Sequence, residues 1–212
     1  MNLKTLAAAS MLAGAALAPS ASAQQTILSN LPGVGTGTGT NLGLGTDAGD
    51  RTKGVGLTMG SQSLDFYCMT ALISNTTPDT TLSGGIYSSS GGNPGSLLAA
   101  FTPVAVGANS AAAEVDIFTA STFTLQANTS YWFVLDGPTT TNSLLWETLS
   151  PNAAPVGAVG ITFDGYRFSS NGGTTWGSSS LFNGVSIKVV PAPASAALLG
   201  LGGLVATRRR RA

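Results

Sequence analysis

Leu64-Asp65-Phe66-Tyr67-Cys68-Met69-Thr70-Ala71-Leu72-Ile73 reads as one strand, and its apolar residues fall at both parities. That spacing predicts a strand covered on both faces. Outward from it the same grammar repeats, strand-length apolar runs broken by turn residues. Upstream lie Thr26-Ile27-Leu28 and residues 54–59, followed by the turn Gly60-Ser61-Gln62-Ser63. Downstream, a polar loop with Pro78-Asp79 precedes a strand at 82–87, then Gly91-Gly92-Asn93-Pro94-Gly95 and an extended 96–101. Residues 113–118 alternate, with Val115 and Ile117 on one face and Glu114 and Asp116 on the other. Phe123 and Leu125 point inward from 122–125. Residues 131–135 read as a central strand, 144–148 and 160–163 as shorter ones, and 181–190 as the last, with Val185, Ile187 and Val189 on one face.

These segments predict an all-β chain whose ectodomain, residues 24–189, is a single antiparallel β-sandwich, jelly-roll-like, flanked by an N-terminal signal helix and a C-terminal hydrophobic helix. Residues 33–50 alternate Gly with Thr, Leu or Val and read as a flexible Gly/Thr-rich loop. The glycines match a dinucleotide fingerprint by count alone, with no strand-to-helix context, so no cofactor is expected. Asp47 and Asp50 close that loop without the spacing of a calcium loop, so no metal is expected.

The two ends carry an address. Residues 1–23 form a signal peptide: Lys4, an apolar run at 6–18, Pro19, then Ala21-Ser22-Ala23, the small-x-small site of a signal peptidase. The mature chain is expected to begin at Gln24. At the other end, Pro191-Ala192-Pro193 precedes the apolar run 194–207 and Arg208-Arg209-Arg210-Arg211. Such a run has little alternative to helix in a bilayer, and the arginines stay on the cytoplasmic side. Its 14 residues give roughly 21 Å of helix against a hydrocarbon core of about 30 Å, a short inner-membrane span.

Proline-x-proline, a short apolar helix and a terminal arginine cluster resemble the PEP-CTERM sorting signal, with Ala192 where that family has glutamate. The resemblance implies an exosortase-type sorting enzyme as a partner, at least a transient stay in the inner membrane, then the cell surface or extracellular matrix. Residues 84–98, Gly84-Gly85-Ile86-Tyr87 through Asn93-Pro94-Gly95-Ser96-Leu97-Leu98, are similar to the choice-of-anchor R surface domains, as are Ser130-Tyr131-Trp132-Phe133 and 166–176. That resemblance implies a β-sandwich and carries over no catalytic residue.

Ser169-Ser170-Asn171-Gly172-Gly173-Thr174-Thr175-Trp176 resembles the Asp-box, with Asn171 in the aspartate position. In that motif, polar side chains bond the turn of a β-hairpin while the tryptophan packs beneath. Asp-boxes occur in sialidases, but one copy is a structural hairpin. The segment between the two ends has only Arg51 and Arg167 where sialidases use three arginines.

Composition narrows the function further. The ends hold five of the nine basic residues, which leaves four against nine acids and an ectodomain charge of about −5. A mildly acidic domain is a poor partner for nucleic acid. Cys68 stands alone, so no intrachain disulfide exists, and it reads as a small buried hydrophobe. The chain has no histidine, which removes Ser-His-Asp, Cys-His and histidine-zinc chemistry.

Three classes remain. The first is a non-catalytic surface or matrix protein displayed through its tail. The second is a carbohydrate-binding module, with exopolysaccharide as partner and Trp146, Trp176 and Tyr166 as glycan-stacking candidates. Trp146, near the turn at 150, is the first choice for exposure, and Trp132 reads as core. The third is a glycoside hydrolase, for which Glu114, Asp116, Glu147 and Asp164 could supply a carboxylate pair, though nothing in the sequence marks any of them. It ranks last, and no catalysis is expected.

Overall fold

The computed structural model describes residues 23–44, 50–76, 79–138 and 144–191. Ala21, Asp47, Ala192, Pro193, the run 194–207 and Arg208–Arg211 lie outside the described residues, and so do both expected flanking helices.

Every regular element among the described residues is a strand. The chain opens with β1 (Gln25–Ser29), β2 (Val34–Leu44), β3 (Asp50–Thr58) and β4 (Leu64–Asn75). Then come β5 (Thr80–Ser90), β6 (Asn93–Ala100), β7 (Val104–Val106) and β8 (Ala113–Ile117). β9 (Phe123–Leu125), β10 (Ser130–Asp136), β11 (Leu144–Ser150) and β12 (Val156–Gly157) follow. β13 (Thr162–Ser169), β14 (Gly177–Ser179) and β15 (Val185–Pro191) close the chain.

All pairings are antiparallel and join in one large sheet, ordered β12-β1-β15-β4-β11-β2-β3-β10-β5-β6. β8 and β9 flank β4, β13 and β14 extend from β3, and β7 pairs β5. Between β2 and β3 the ladder is only Gly43↔Arg51 and Leu44↔Asp50. Side chains from the two stretches on either side of that short link meet in the core. The Phe66 ring of β4 lies 5.6 Å from Phe133 of β10, and Trp146 of β11 lies 5.7 Å from Tyr166 of β13. Phe123 of β9 meets Tyr131 of β10 edge to face at 5.9 Å.

The deciding stretch is covered on both faces, as its pattern predicts: from Cys68 to Asn75 every residue of β4 is buried. A bulge against β15, where Phe66 pairs Val189 and Cys68 pairs Lys188, shifts the parity. Phe66, Met69, Ala71 and Ile73 therefore join the core cluster. On the opposite face Thr70 donates to Asp116 Oδ1 at 2.5 Å and Ser74 donates to Glu147 Oε1 at 2.5 Å.

The expected loop at 33–50 is corrected. Residues 34–44 are strand β2, paired to β11 from Leu42↔Leu144 to Val34↔Ser150. A ladder needs only backbone donors and acceptors. Glycine here permits close approach, since a Cβ on Gly39 would run into the Trp146 carbonyl.

Candidate functional site

The three aromatic candidates are placed differently from one another. Trp146 is 0% and Tyr166 1% exposed, so neither offers a face to a glycan, which corrects both expectations. β11 extends to Ser150 between β2 and β4, so Trp146 is mid-sheet rather than at a turn. Its Nε1 donates to the Gly184 carbonyl at 2.9 Å, and its carbonyl accepts from Asn183 Nδ2. The Tyr166 hydroxyl donates to the Asn183 carbonyl at 2.7 Å. Trp176 is half-buried and lines an open groove.

The four carboxylates do not line that groove. Glu114 and Asp116 are exposed on β8, where Asp116 pairs with Lys188 at 3.7 Å. Glu147 is buried against Ser74, and Asp164 accepts from Thr58 at 2.7 Å. Cys68 is buried, and that burial, with the Asp116 charge second, pushes its thiol up to about 11. Lys53, buried on β3, donates to the Leu181 carbonyl at 3.0 Å and lies 5.1 Å over the Tyr166 ring. Desolvation lowers its ammonium to about 8.

Trp176 is positioned by the Asp-box-like hairpin, whose chemistry is as its residues predict. Ser169 Oγ accepts from the Asn171 and Gly173 amides at 3.2 and 2.9 Å. Asn171 Oδ1 accepts from the Thr175 amide at 2.9 Å, and its Nδ2 donates to Thr175 Oγ1 at 3.0 Å. Gly172 and Gly173 take positive φ, 62° and 80°, as the tight tip requires. A Cβ on Gly173 would sit 3.3 Å from Trp176 Cζ2, so the indole lies beneath it. The Gly172 amide donates to the Asp50 carbonyl at 2.8 Å and ties the tip to the start of β3.

The groove lies on the outer face of β5, β10 and β3. Directly paired residues share a face. The core face holds Phe133 opposite Val55, so Asp136 opposite Thr52 points outward. Ser83 pairs Asp136, and Ser169 pairs Thr52, which gives a polar row Ser83-Asp136-Thr52-Ser169 across four strands. Nearby, Trp132 lies over Gly56, where a Cβ would come 2.8 Å from the ring. The Arg167 guanidinium caps that indole at 5.4 Å while its Nε donates to the Gly92 carbonyl and Asn93 Oδ1 at 3.0 and 2.8 Å.

The groove encloses about 440 Å³, with Trp176 and Tyr87 among its walls and Ser83, Thr52 and Asp136 among its polar lining. Burial, with the Asp50 charge second, pushes the Asp136 carboxyl up to about 6, against the Gly137 amide that donates to its Oδ1 at 2.8 Å. Burial first and Asp136 second also raise the Tyr87 phenol. Thr52 Oγ1 and Asp50 Oδ1 are buried with no hydrogen-bond partner.

Sequence reasoning named Trp176 here and passed over Tyr87 and Asp136. The signal was present: Trp132, Val134 and Asp136 share one parity of β10, and the last is charged. Comparison with family models, with curated proteins and with solved structures finds no match.

Proposed function

We propose that this is an exported, non-catalytic surface or matrix protein, held and sorted through its Pro-Ala-Pro, apolar and arginine tail. In this reading the strands form a jelly-roll-like β-sandwich ectodomain, which the contacts of Phe66 with Phe133 and Trp146 with Tyr166 across the core support. The observation that carries the proposal is the extent of the strands. β1 begins at Gln25, just past Ala23, and β15 is still strand at Pro191, the first residue of the sorting motif and the last described residue. The strand fabric therefore fills the interval between the two address segments. Gln25 pairs Val189, so both segments leave from the same end of neighbouring strands.

Mass spectrometry of the protein recovered from its native cells tests this. The expected mature chain starts at Gln24 and lacks Arg211 because a sorting enzyme has cut near Pro191. A cytoplasmic protein that keeps Met1 would overturn the export reading, and a surface protein that still carries Arg211 would overturn the processing step alone. Replacing Arg208–Arg211 with serine should weaken membrane retention and leave the fold intact, since a charge at the bilayer centre costs about 2.5–3.5 kcal/mol.

A further inference from the structure

We infer that the groove on the outer face of β5, β10 and β3 binds a neutral pyranose unit of a polysaccharide, flanked by Trp176 and Tyr87 and hydrogen-bonded along Ser83, Asp136 and Thr52. A pyranose has apolar C–H faces and a rim of hydroxyls. It is held best where aromatic side chains and a row of donors and acceptors converge. The groove joins those features in about 440 Å³, within the roughly 300–1,000 Å³ of small-molecule sites. Gly95, Gly172 and Gly173 in its lining carry no side chains to narrow it.

Thr52 is an independent sign of an occupant. It is 5% exposed, lines the groove, and its hydroxyl has no partner. An unmet buried hydroxyl carries an uncompensated desolvation cost, which a turn of the Thr52 rotamer toward a ligand hydroxyl in the groove would relieve. Asp136, with the Gly137 amide on Oδ1, retains capacity to accept from a second ligand hydroxyl.

Charge selects a neutral sugar. Among the described residues no lysine or arginine lines the groove, and the Asp50 and Asp136 carboxylates repel an anionic one. Arg167, close by, is engaged with Gly92, Asn93 and the Trp132 ring.

The test is affinity electrophoresis of the full-length protein, purified in mild detergent, through gels holding soluble β-glucan, xylan, mannan, dextran or galactan. At least one should retard it. Trp176→Ala and Tyr87→Ala should weaken binding tenfold or more, and the near-isosteric Asp136→Asn several-fold. Phe118→Ala, at an exposed ring outside the groove lining, should change nothing. Because Asp136→Asn keeps the shape of the side chain, it decides the matter even if an aromatic variant fails to fold. Passage through every gel unretarded would overturn the inference. So would retardation abolished by Phe118→Ala but kept by Trp176→Ala, or retention only on a polylysine column, which would mark a basic peptide as the ligand. Binding is read on purified protein whatever its export route, so failure here and failure of the display reading are separate results.

Discussion

Asp136 ends β10 half-buried, with Asp50 as a charged neighbour, and its carboxyl titrates near 6 instead of near 4. A raised value means that the folded chain holds the proton more tightly than the unfolded one. The resulting stability is complete below the ordinary value near 4 and is lost as the pH rises through about 6. The melting temperature of the wild type, taken relative to Asp136→Asn, should therefore fall between pH 4 and 7 and level off above. A difference independent of pH would show that Asp136 behaves as a free surface carboxylate. At this scale the sequence identified the aromatic residues but not their directions. Side-chain parity can be counted along a strand only as far as the first bulge. In β13 the register shifts between Phe163 and Gly165, and both Phe163 and Tyr166 end up against Phe182 in the interior.

Strand β2 is the element whose reading failed, and its glycines are the reason. Strand signals are carried by side chains, and glycine has none, so Gly35-Thr36-Gly37-Thr38-Gly39 imitates a linker. The structure separates these glycines. Gly39 lies against the Trp146 carbonyl, whereas Gly37 has φ of 71° and nothing within 4 Å of a built Cβ. Gly39→Ala should cost several kcal/mol in denaturant unfolding, as other severe backbone clashes do. Gly37→Ala should cost about 1–2 kcal/mol, the penalty of a left-handed conformation alone. Equal and small effects would mean that the β2–β11 ladder does not form. Strand β4 was legible for the converse reason, because apolar side chains at both parities signal a strand covered on both faces, and Tyr67 is the one residue of the stretch left exposed. The bulge that sorts them between two faces had no mark in the sequence.

At the scale of the whole molecule, the all-β class followed from the regular return of turn residues between apolar runs. With one cysteine there is no crosslink, and the β2–β3 ladder is only two residue pairs long. Cohesion between the two stretches of sheet therefore rests on the interior. A double-mutant cycle of Phe66→Leu and Phe133→Leu measures it directly, since the rings touch at 5.6 Å across the core. The expected coupling is about 0.5–1.5 kcal/mol, and additivity would mean that the two stretches do not press on one another.

β15 is bonded along both edges, to β1 on one side and β4 on the other, with Val189 opposite both Gln25 and Phe66. If the chain is tethered beyond Pro191, as proposed above, the pull runs along that strand's own axis. The load then falls on two ladders at once and in shear, so their hydrogen bonds must fail together instead of opening one by one like a zip. Where a chain is hung by one end in moving water, the doubly clasped strand is the place to fasten it.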